Sequence, residues 1–313
     1  MNFIKTRPRL IGALSLTALG GVVAYLSHRR LARSCPRVPI TELPKSSACR
    51  KLVEEAGEPT SQPPWGMKSS TLLSSWVGST KTYWISSFTA LQVEVPVSLL
   101  VGYGASHDST SPNKGDDTYH LMKNFVAVFL DARATGPESL VLDKDVPSSS
   151  LIPGSLLFGR QSGLGAFLLG TWSSQGLKSV EPLELPSNAP LPCTEFPSNR
   201  DIVENSAADT AGAVLYWKFP NSLVGAIDDA ASYGMPWRLM EGGFQEFIVE
   251  RMSEDTARVT YVTVECTDLH PGTQSSRNFK MLPKLFYEAH VLYAQSLLNK
   301  SLRRLEIRSR VEK

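Results

Sequence analysis

The clearest alternation of apolar and polar residues lies in the C-terminal third of the chain. Gly243–Arg251 and Ala257–Thr267 each alternate from residue to residue, and Glu254-Asp255 between them is a turn sequence. Such alternation predicts β-strands, because successive side chains of a strand point to opposite faces. The two runs therefore predict an antiparallel hairpin.

The last segment of the chain changes to helical spacing. Met281–Glu306 places its apolar residues near one stripe, at Leu282, Leu285, Phe286, Ala289, Leu292, Tyr293, Leu297, Leu302 and Leu305. A stripe of this kind predicts a long amphipathic helix that covers a core. Shorter helices are predicted at Tyr119–Ala134, Ser222–Ala231 and Ala48–Ala56.

The middle of the chain has a β-strand pattern that Gly and Pro interrupt. Thr82–Tyr103 alternates as far as Val101 around Pro96, and Leu140–Trp172 is a second β-rich region. Val180–Asn199 contains repeated prolines, which exclude a central strand or a helix, so it is predicted to be a long connector. This connector, near residues 180–200, is also a candidate boundary between two subdomains.

An uncharged stretch, Leu10–Ser27, stands between basic flanks near the N-terminus. As a helix it rises about 27 Å, close to the hydrocarbon thickness of a bilayer at about 30 Å. We interpret it as an uncleaved, single-pass transmembrane helix; a cleaved secretory signal and a buried helix are the alternatives. The predicted location is the endoplasmic reticulum or another endomembrane. Both flanks are similarly basic, so the sequence does not set which side the domain faces.

These features divide the chain into three parts. Residues 1–34 are predicted to form the membrane anchor, and residues 35–80, rich in Pro, Ser and charge, a linker. Residues 81–313 are predicted to form an α+β ligand-binding domain, which is long enough to bury a core of its own.

Composition and motifs exclude several classes of function. The formal net charge of +2 gives no basic surface of the kind that nucleic acid requires. The four cysteines form no C-x-x-C pair and the five histidines show no paired spacing, so no metal site is predicted. The sequence also lacks G-x-S-x-G, G-x-G-x-x-G, P-loop and H-E-x-x-H motifs, and we expect no cofactor.

Polar residues of the hairpin are the candidate site. Glu265 shares a strand face with Tyr261, and a carboxyl group among apolar neighbours either finds a donor or becomes a general acid. The alternative is that this face points to solvent, and Gln245 and Glu246 on the partner strand have the same ambiguity. His270, in the loop that follows at the mouth of the predicted cavity, is a candidate that could titrate near neutrality; the alternative is a solvated loop histidine with no such role. The candidate catalytic residues are therefore Glu265, Tyr261 and His270.

A hairpin at the end of an antiparallel sheet, followed directly by a long C-terminal helix, resembles the helix-grip layout of the START-like and Bet v 1-like superfamily. The resemblance covers about Val214–Glu306. It implies a curved antiparallel sheet whose concave face is crossed by the last helix, with an apolar cavity beneath that helix. The whole chain also resembles single-pass proteins found beside fungal specialised-metabolite enzymes, some of which are Diels–Alderase-type cyclases.

Two hypotheses of function follow. The first is a membrane-tethered, cofactor-independent cyclase or isomerase that folds an apolar polyketide or terpenoid intermediate. Holding a flexible substrate in a reactive conformation can by itself lower the activation barrier by several kcal/mol. The second is a non-catalytic module that binds or transfers a lipid or sterol, and a scaffold for other enzymes is a third alternative. The expected partners are an apolar small molecule and a membrane, and no nucleic acid.

Overall fold

The computed structural model describes residues 28–55, 65–66, 84–101, 117–136, 156–158, 165–173, 209–219, 221–235, 237–240, 242–267, 280–281 and 284–311. The apolar stretch Leu10–Ser27, the connector Val180–Asn199 and the loop with His270 lie outside these residues. Within the described ranges, no helix combines the length and the apolar composition that crossing a bilayer requires.

In the described part of the chain, seven strands form one antiparallel sheet, and five of them are long. The strands are β1 (Trp65–Gly66), β2 (Trp84–Pro96), β3 (Leu156–Phe158), β4 (Gly165–Ser173), β5 (Thr210–Lys218), β7 (Gly242–Arg251) and β8 (Thr256–Thr267). Their spatial order is β1-β2-β8-β7-β5-β4-β3. A separate parallel pair joins β6 (Trp237–Arg238) to β9 (Lys280–Met281).

Helices lie before, between and after the strands. They are α1 (residues 28–34), α2 (Ala48–Glu55), α3 (Val97–Val101), α4 (Asp117–Ala134), α5 (Asn221–Ser232) and α6 (Lys284–Val311), with a 3-10 turn at Ile40–Glu42. The predicted hairpin is confirmed as β7 and β8, and the predicted long C-terminal helix is confirmed as α6. The fold is therefore α+β, with a curved antiparallel sheet and a C-terminal helix.

The first long strand of the sheet lies beside the last one. β2 pairs with β8 along its length, and Leu91 stands opposite Tyr261 in the register. Arg258 donates to Glu94 across the same pair at 3.1 Å. Toward the opposite edge of the sheet, β4 pairs directly with β5. The strands before and after the proline-rich connector therefore belong to one sheet.

The prediction that strand alternation continues to Val101 is wrong, because Val97–Val101 is the helix α3. Pro96 stands opposite Thr256, the first residue of β8, so no partner strand extends beyond it. The Val97 N–H instead donates to the Asp255 carbonyl at 2.9 Å. A short run of valines and leucines fits either a strand or a helix. Because no partner strand continues past Pro96, this run forms a helix.

One side of the sheet packs against α4 and α6 and is called here the helix-facing side. Its core combines residues of both layers, among them Leu91, Phe125, Phe129, Phe247, Val259, Tyr261, Ala294 and Leu298. The rings of Phe129 and Phe247 lie edge to face with centroids 4.9 Å apart. Such burial and ring geometry stabilise the attachment of α4 to the sheet.

The opposite side of the sheet, called here the outer side, is covered by residues that the sequence predicts as linker. Leu43, Cys49 and Leu52 pack against Val264 and Ile248 in a second buried cluster. Residues 36–38 also follow the edge of β2, where the Val38 N–H donates to the Ala90 carbonyl and the Gln92 N–H to the Pro36 carbonyl. Residues 35–55 are therefore packed against the domain, despite their linker-like composition.

The buried face of α6 is rotated relative to the predicted stripe. Val291, Ala294 and Leu298 are buried, whereas Phe286 is 56% exposed and Ala289 is also exposed. The assignment of Phe286 and Ala289 to the buried stripe is therefore wrong.

Two polar residues explain why the stripe on α6 was misplaced. Gln295 and Ser301 are buried although their side chains are polar. Gln295 donates to the Cys35 carbonyl at 2.9 Å, and Ser301 donates to the Leu297 carbonyl at 2.8 Å. A polar group with a hydrogen-bond partner can occupy a core position, which an apolar pattern does not reveal.

Candidate functional site

Polar side chains gather at one end of the helix-facing side of the sheet. In one row of the register Ser87 stands opposite Glu265, and in the next Thr89 stands opposite Thr263, which in turn faces Gln245. The α6 residues Tyr287 and His290 reach this end of the sheet. We call this group the Glu265 cluster; it consists of Ser87, Thr89, Gln245, Thr263, Glu265, Tyr287 and His290.

Glu265 is the central acidic residue of the cluster. The sequence left open whether its strand face points inward; the structure buries it, with 4% of its surface exposed. Ser87 Oγ donates to Glu265 Oε2, and the His290 imidazole Nε2 lies 3.3 Å from Oε1. The carboxyl group is therefore held between a strand hydroxyl and a histidine of the C-terminal helix.

His290 connects the buried carboxyl group with the surroundings. About a third of its side chain, 34%, is exposed, whereas the Glu265 side chain is 6% exposed. A carboxylate beside one ring nitrogen orients a histidine, and the other nitrogen is then available for proton transfer. The pair can therefore move a proton to or from a molecule bound at this end of α6.

Tyr287 anchors α6 to β2 beside this pair. Its hydroxyl donates to the Phe88 carbonyl at 3.0 Å and lies 3.2 Å from Thr89 Oγ1. Glu288, the next residue, pairs with Arg37 of the segment that borders β2. These contacts hold the N-terminal half of α6 over the Glu265 cluster.

A cationic residue borders the cluster on the side of α4. Arg133 Nη1 donates to Gln245 Oε1 at 3.3 Å, and Gln245 is 5% exposed. Gln245 stands opposite Thr263 in the hairpin. A polar group of a ligand at this end of the sheet would therefore meet amide, hydroxyl, imidazole and guanidinium groups.

The other predicted site residues lie in different surroundings. Tyr261 is 3% exposed and shares the strand face of Glu265, but its ring packs 4.7 Å from that of Phe129 and 5.2 Å from that of Phe247. It is thus part of the aromatic core beside the cluster. His270 lies outside the described residues.

Glu246 points to the outer side of the sheet, where it accepts hydrogen bonds from the N-terminal segment. Its carboxylate accepts from Ser47 Oγ, from the Ala48 and Cys49 N–H groups, both at 2.9 Å, and from Trp172 Nε1 at 3.0 Å. It thereby caps the N-terminus of α2, where the helix dipole favours an anion. Burial raises the pKa of Glu246, although these donors lower it.

Sequence reasoning found Glu265 but did not connect it with His290. The two residues are brought together by the crossing of α6 over the sheet, which local spacing does not encode. The available signal in the sequence was the position of His290, which directly precedes Val291 and lies four residues before Ala294, two apolar residues that the structure buries. Among the described residues, no group of His, Cys, Asp and Glu side chains could hold a metal ion.

The chain was also compared with known proteins. It matches no family model, no curated protein and no solved structure at a significant level.

Proposed function

We propose that this protein binds an apolar small molecule beneath α6 and promotes its cyclisation or isomerisation without a cofactor. The observation that carries the proposal is the buried Glu265 carboxyl group, which contacts His290 of α6 next to an apolar core. A polyketide or terpenoid intermediate has the apolar body that such a site would accept. In this proposal the N-terminal stretch Leu10–Ser27 tethers the domain to an endomembrane, near a lipophilic substrate.

The strand order supports a relationship with the helix-grip superfamily, which is part of the proposal. The first long strand, β2, lies beside the last one, β8, and α3 and α4 connect β2 with the rest of the sheet. α6 follows the hairpin and packs chiefly on α4 and α3. The resemblance to that superfamily implies a ligand site between the last helix and the sheet, which is where the Glu265 cluster lies.

The proposed chemistry needs few protein groups. Partly buried apolar residues of the helix-facing core, such as Trp217 and Tyr293, would hold the substrate in a reactive conformation, because contact with a shaped apolar surface restricts a flexible chain. The Glu265 and His290 pair would then transfer a proton at the reacting centre. General acid–base catalysis of this kind contributes about 100-fold to 10,000-fold in rate.

A non-catalytic lipid- or sterol-binding module is the second candidate. The contacts of Glu265 with Ser87 and His290 favour this candidate. A buried carboxyl group that already contacts a hydroxyl and an imidazole of the protein requires no substrate to account for its position. The two candidates share a ligand and differ in whether the ligand is changed.

The test uses the full-length protein held in an amphipathic polymer. It is incubated with linear polyene, polyketide and terpenoid precursors, and products are compared with those of buffer alone. We expect one precursor to be converted faster than in buffer, and Glu265→Gln and His290→Gln each to slow the conversion about 100-fold. Recovery of every bound precursor unchanged would leave only the binding module.

Matched variants separate catalysis from stability. His120 is an exposed histidine of α4, and Glu306 is an exposed glutamate of α6. His120→Gln and Glu306→Gln should keep the wild-type conversion rate. Equal losses in these controls and in the two site variants would contradict a catalytic role of Glu265 and His290.

A further inference from the structure

Within the part of the chain that the structure describes, two hydrogen-bond donors on the helix-facing side of the sheet have no protein partner. Thr263 is 1% exposed, and its hydroxyl has no hydrogen-bond partner among the described residues. The indole N–H of Trp217 is likewise buried without one. Buried polar groups are nearly always hydrogen-bonded, so each exception calls for an explanation.

The two donors lie at the same end of the sheet. Gly243 of β7 stands opposite Trp217 of β5 on one side and opposite Glu265 of β8 on the other. A Cβ atom on Gly243 would lie 3.0 Å from Trp217 Nε1, so the indole N–H extends over β7 toward β8. Thr263 is the diagonal neighbour of Gly243, a relation that spans about 7–8 Å in an antiparallel pair.

Gly243 keeps this place open. A Cβ atom there would also approach the Val264 carbonyl oxygen to 2.0 Å, which no side chain can do without displacing the backbone. The position between Trp217 and Glu265 is therefore limited to glycine. The Trp217 indole N–H therefore lies on the helix-facing side of the sheet, and no β7 side chain at position 243 separates it from β7.

We infer that Trp217 Nε1 and the Thr263 hydroxyl bind a carbonyl oxygen of the ligand. This inference rests on the proposed binding of an apolar small molecule and names its polar group. Both donors are neutral and offer a proton, and the adjacent Glu265 is acidic, so a neutral oxygen acceptor suits the position better than a carboxylate. The ligand is then an apolar molecule with a ketone, ester or similar carbonyl group, oriented with that group toward Glu265.

The experiment compares two probes of equal length on the full-length protein in an amphipathic polymer. Undecyl methyl ketone carries the carbonyl oxygen, and tridecane is its hydrocarbon counterpart. Affinity is measured by displacement of Nile red, and the Trp217 indole N–H resonance, assigned from Trp217→Phe, is followed by NMR. In the wild type we expect the ketone to bind about tenfold more tightly than tridecane, and to move this resonance downfield.

Variants test each donor separately. Thr263→Val replaces the unpartnered hydroxyl by a methyl group, so it should fold at least as stably as wild type and lose most of the preference for the ketone. Trp217→Phe should reduce the same preference. Thr260 lies on the same strand but on the outer side, where its hydroxyl accepts from Gln92 at 3.2 Å, so Thr260→Val should keep the wild-type preference.

The outcomes separate the two levels of the proposal. Equal binding of ketone and tridecane, with an unmoved Trp217 resonance, would overturn the carbonyl subsite while supporting apolar binding. Displacement of Nile red by neither probe would contradict both the subsite and the binding of an apolar ligand. Retention of the ketone preference in Thr263→Val would remove Thr263 from the subsite.

Discussion

Trp172 donates its indole N–H to the buried carboxylate of Glu246, and the two atoms lie 3.0 Å apart. The two residues stand on β4 and β7, with β5 between them. The same carboxylate accepts from the first turn of α2. One acidic residue thus fastens the N-terminal segment and β4 to the centre of the sheet.

Removal of the Glu246 carboxylate should be strongly destabilising. Glu246→Ala leaves the donors of Ser47, Ala48, Cys49 and Trp172 without an acceptor in a fully buried place. Because each unsatisfied buried donor costs about 1–3 kcal/mol, we expect a loss of about 3 kcal/mol or more in the free energy of unfolding. Urea denaturation measures it, and a loss below about 1 kcal/mol would contradict the capping role.

The same residue predicts a dependence of stability on pH. Burial raises the pKa of Glu246 above 4.5, so the folded state keeps a proton that the unfolded state releases as the pH rises. The contribution of the neutral Glu246 side chain to stability is therefore fully present below pH 4.5. It is lost as the pH rises through the pKa that Glu246 has in the folded protein. Compared with Glu246→Gln, the wild type should lose stability as the pH rises above 4.5. A constant difference across this range would contradict the shift.

Gly212 is expected to tolerate no side chain. A Cβ atom there would lie 2.3 Å from Cε2 and 2.5 Å from Nε1 of Trp172, because the indole crosses β5 on its way to Glu246. Gly212→Ala should therefore lower the free energy of unfolding by about 1–3 kcal/mol. Gly225 in the middle of α5 is the control: nothing lies within 4 Å of its Cβ position. Gly225→Ala should raise stability by about 0.5–1 kcal/mol, and denaturation curves of both variants check the contrast.

The buried thiols should be unreactive in the folded protein. Cys35, Cys49 and Cys266 are fully buried, and burial raises the pKa of each thiol, that of Cys35 to about 11. Because the thiolate is the nucleophile, Ellman's reagent should react with them only as fast as the protein unfolds. The measurement is made in a Cys193→Ser background. Reaction within seconds at neutral pH would contradict this burial.

The same thiols should make the protein less stable in alkali. The folded state keeps them protonated while the unfolded state releases their protons near the ordinary pKa of 9.0. The contribution of Cys35 to stability is complete below that value and is lost as the pH rises toward about 11. Thermal unfolding measured at rising pH checks this, and Cys35→Ala should have a shallower decline than wild type.

Loss of the Tyr287 hydroxyl should loosen the start of α6. Tyr287→Phe removes the hydrogen bond to the Phe88 carbonyl and the contact with Thr89, so we expect a loss of about 1 kcal/mol in stability. Amide hydrogen exchange should become faster in the N-terminal turns of α6 and stay unchanged around Leu298. Equal acceleration along the whole helix would show that the hydroxyl has no local anchoring role.

The sequence allowed prediction of the elements whose signal is local. The alternation in β7 and β8 and the turn between them gave the hairpin, and the spacing after Met281 gave a long helix. It also identified Glu265 as a residue to examine. Both faces of β8 are buried, however, so alternation alone could not tell which face meets α6.

The features that were missed depend on contacts between distant segments. Residues 35–55 have the composition of a linker, yet Glu246, far along the chain, supplies the cap that α2 needs. His290 meets Glu265 only because α6 crosses the sheet at one particular angle and phase. Spacing within a segment carries no information about such pairings, since they are set by packing between elements.

The pairing of β2 with β8 has a consequence for the order of events during synthesis. Glu94 and Arg258, which face each other in this pair, are 164 positions apart in the chain. β2 therefore leaves the ribosome long before its neighbour is translated, and its open edge is a template for unwanted pairing in the meantime. Closing so large a loop is slow, so the edge of β2 stays open at least until β8 has been translated.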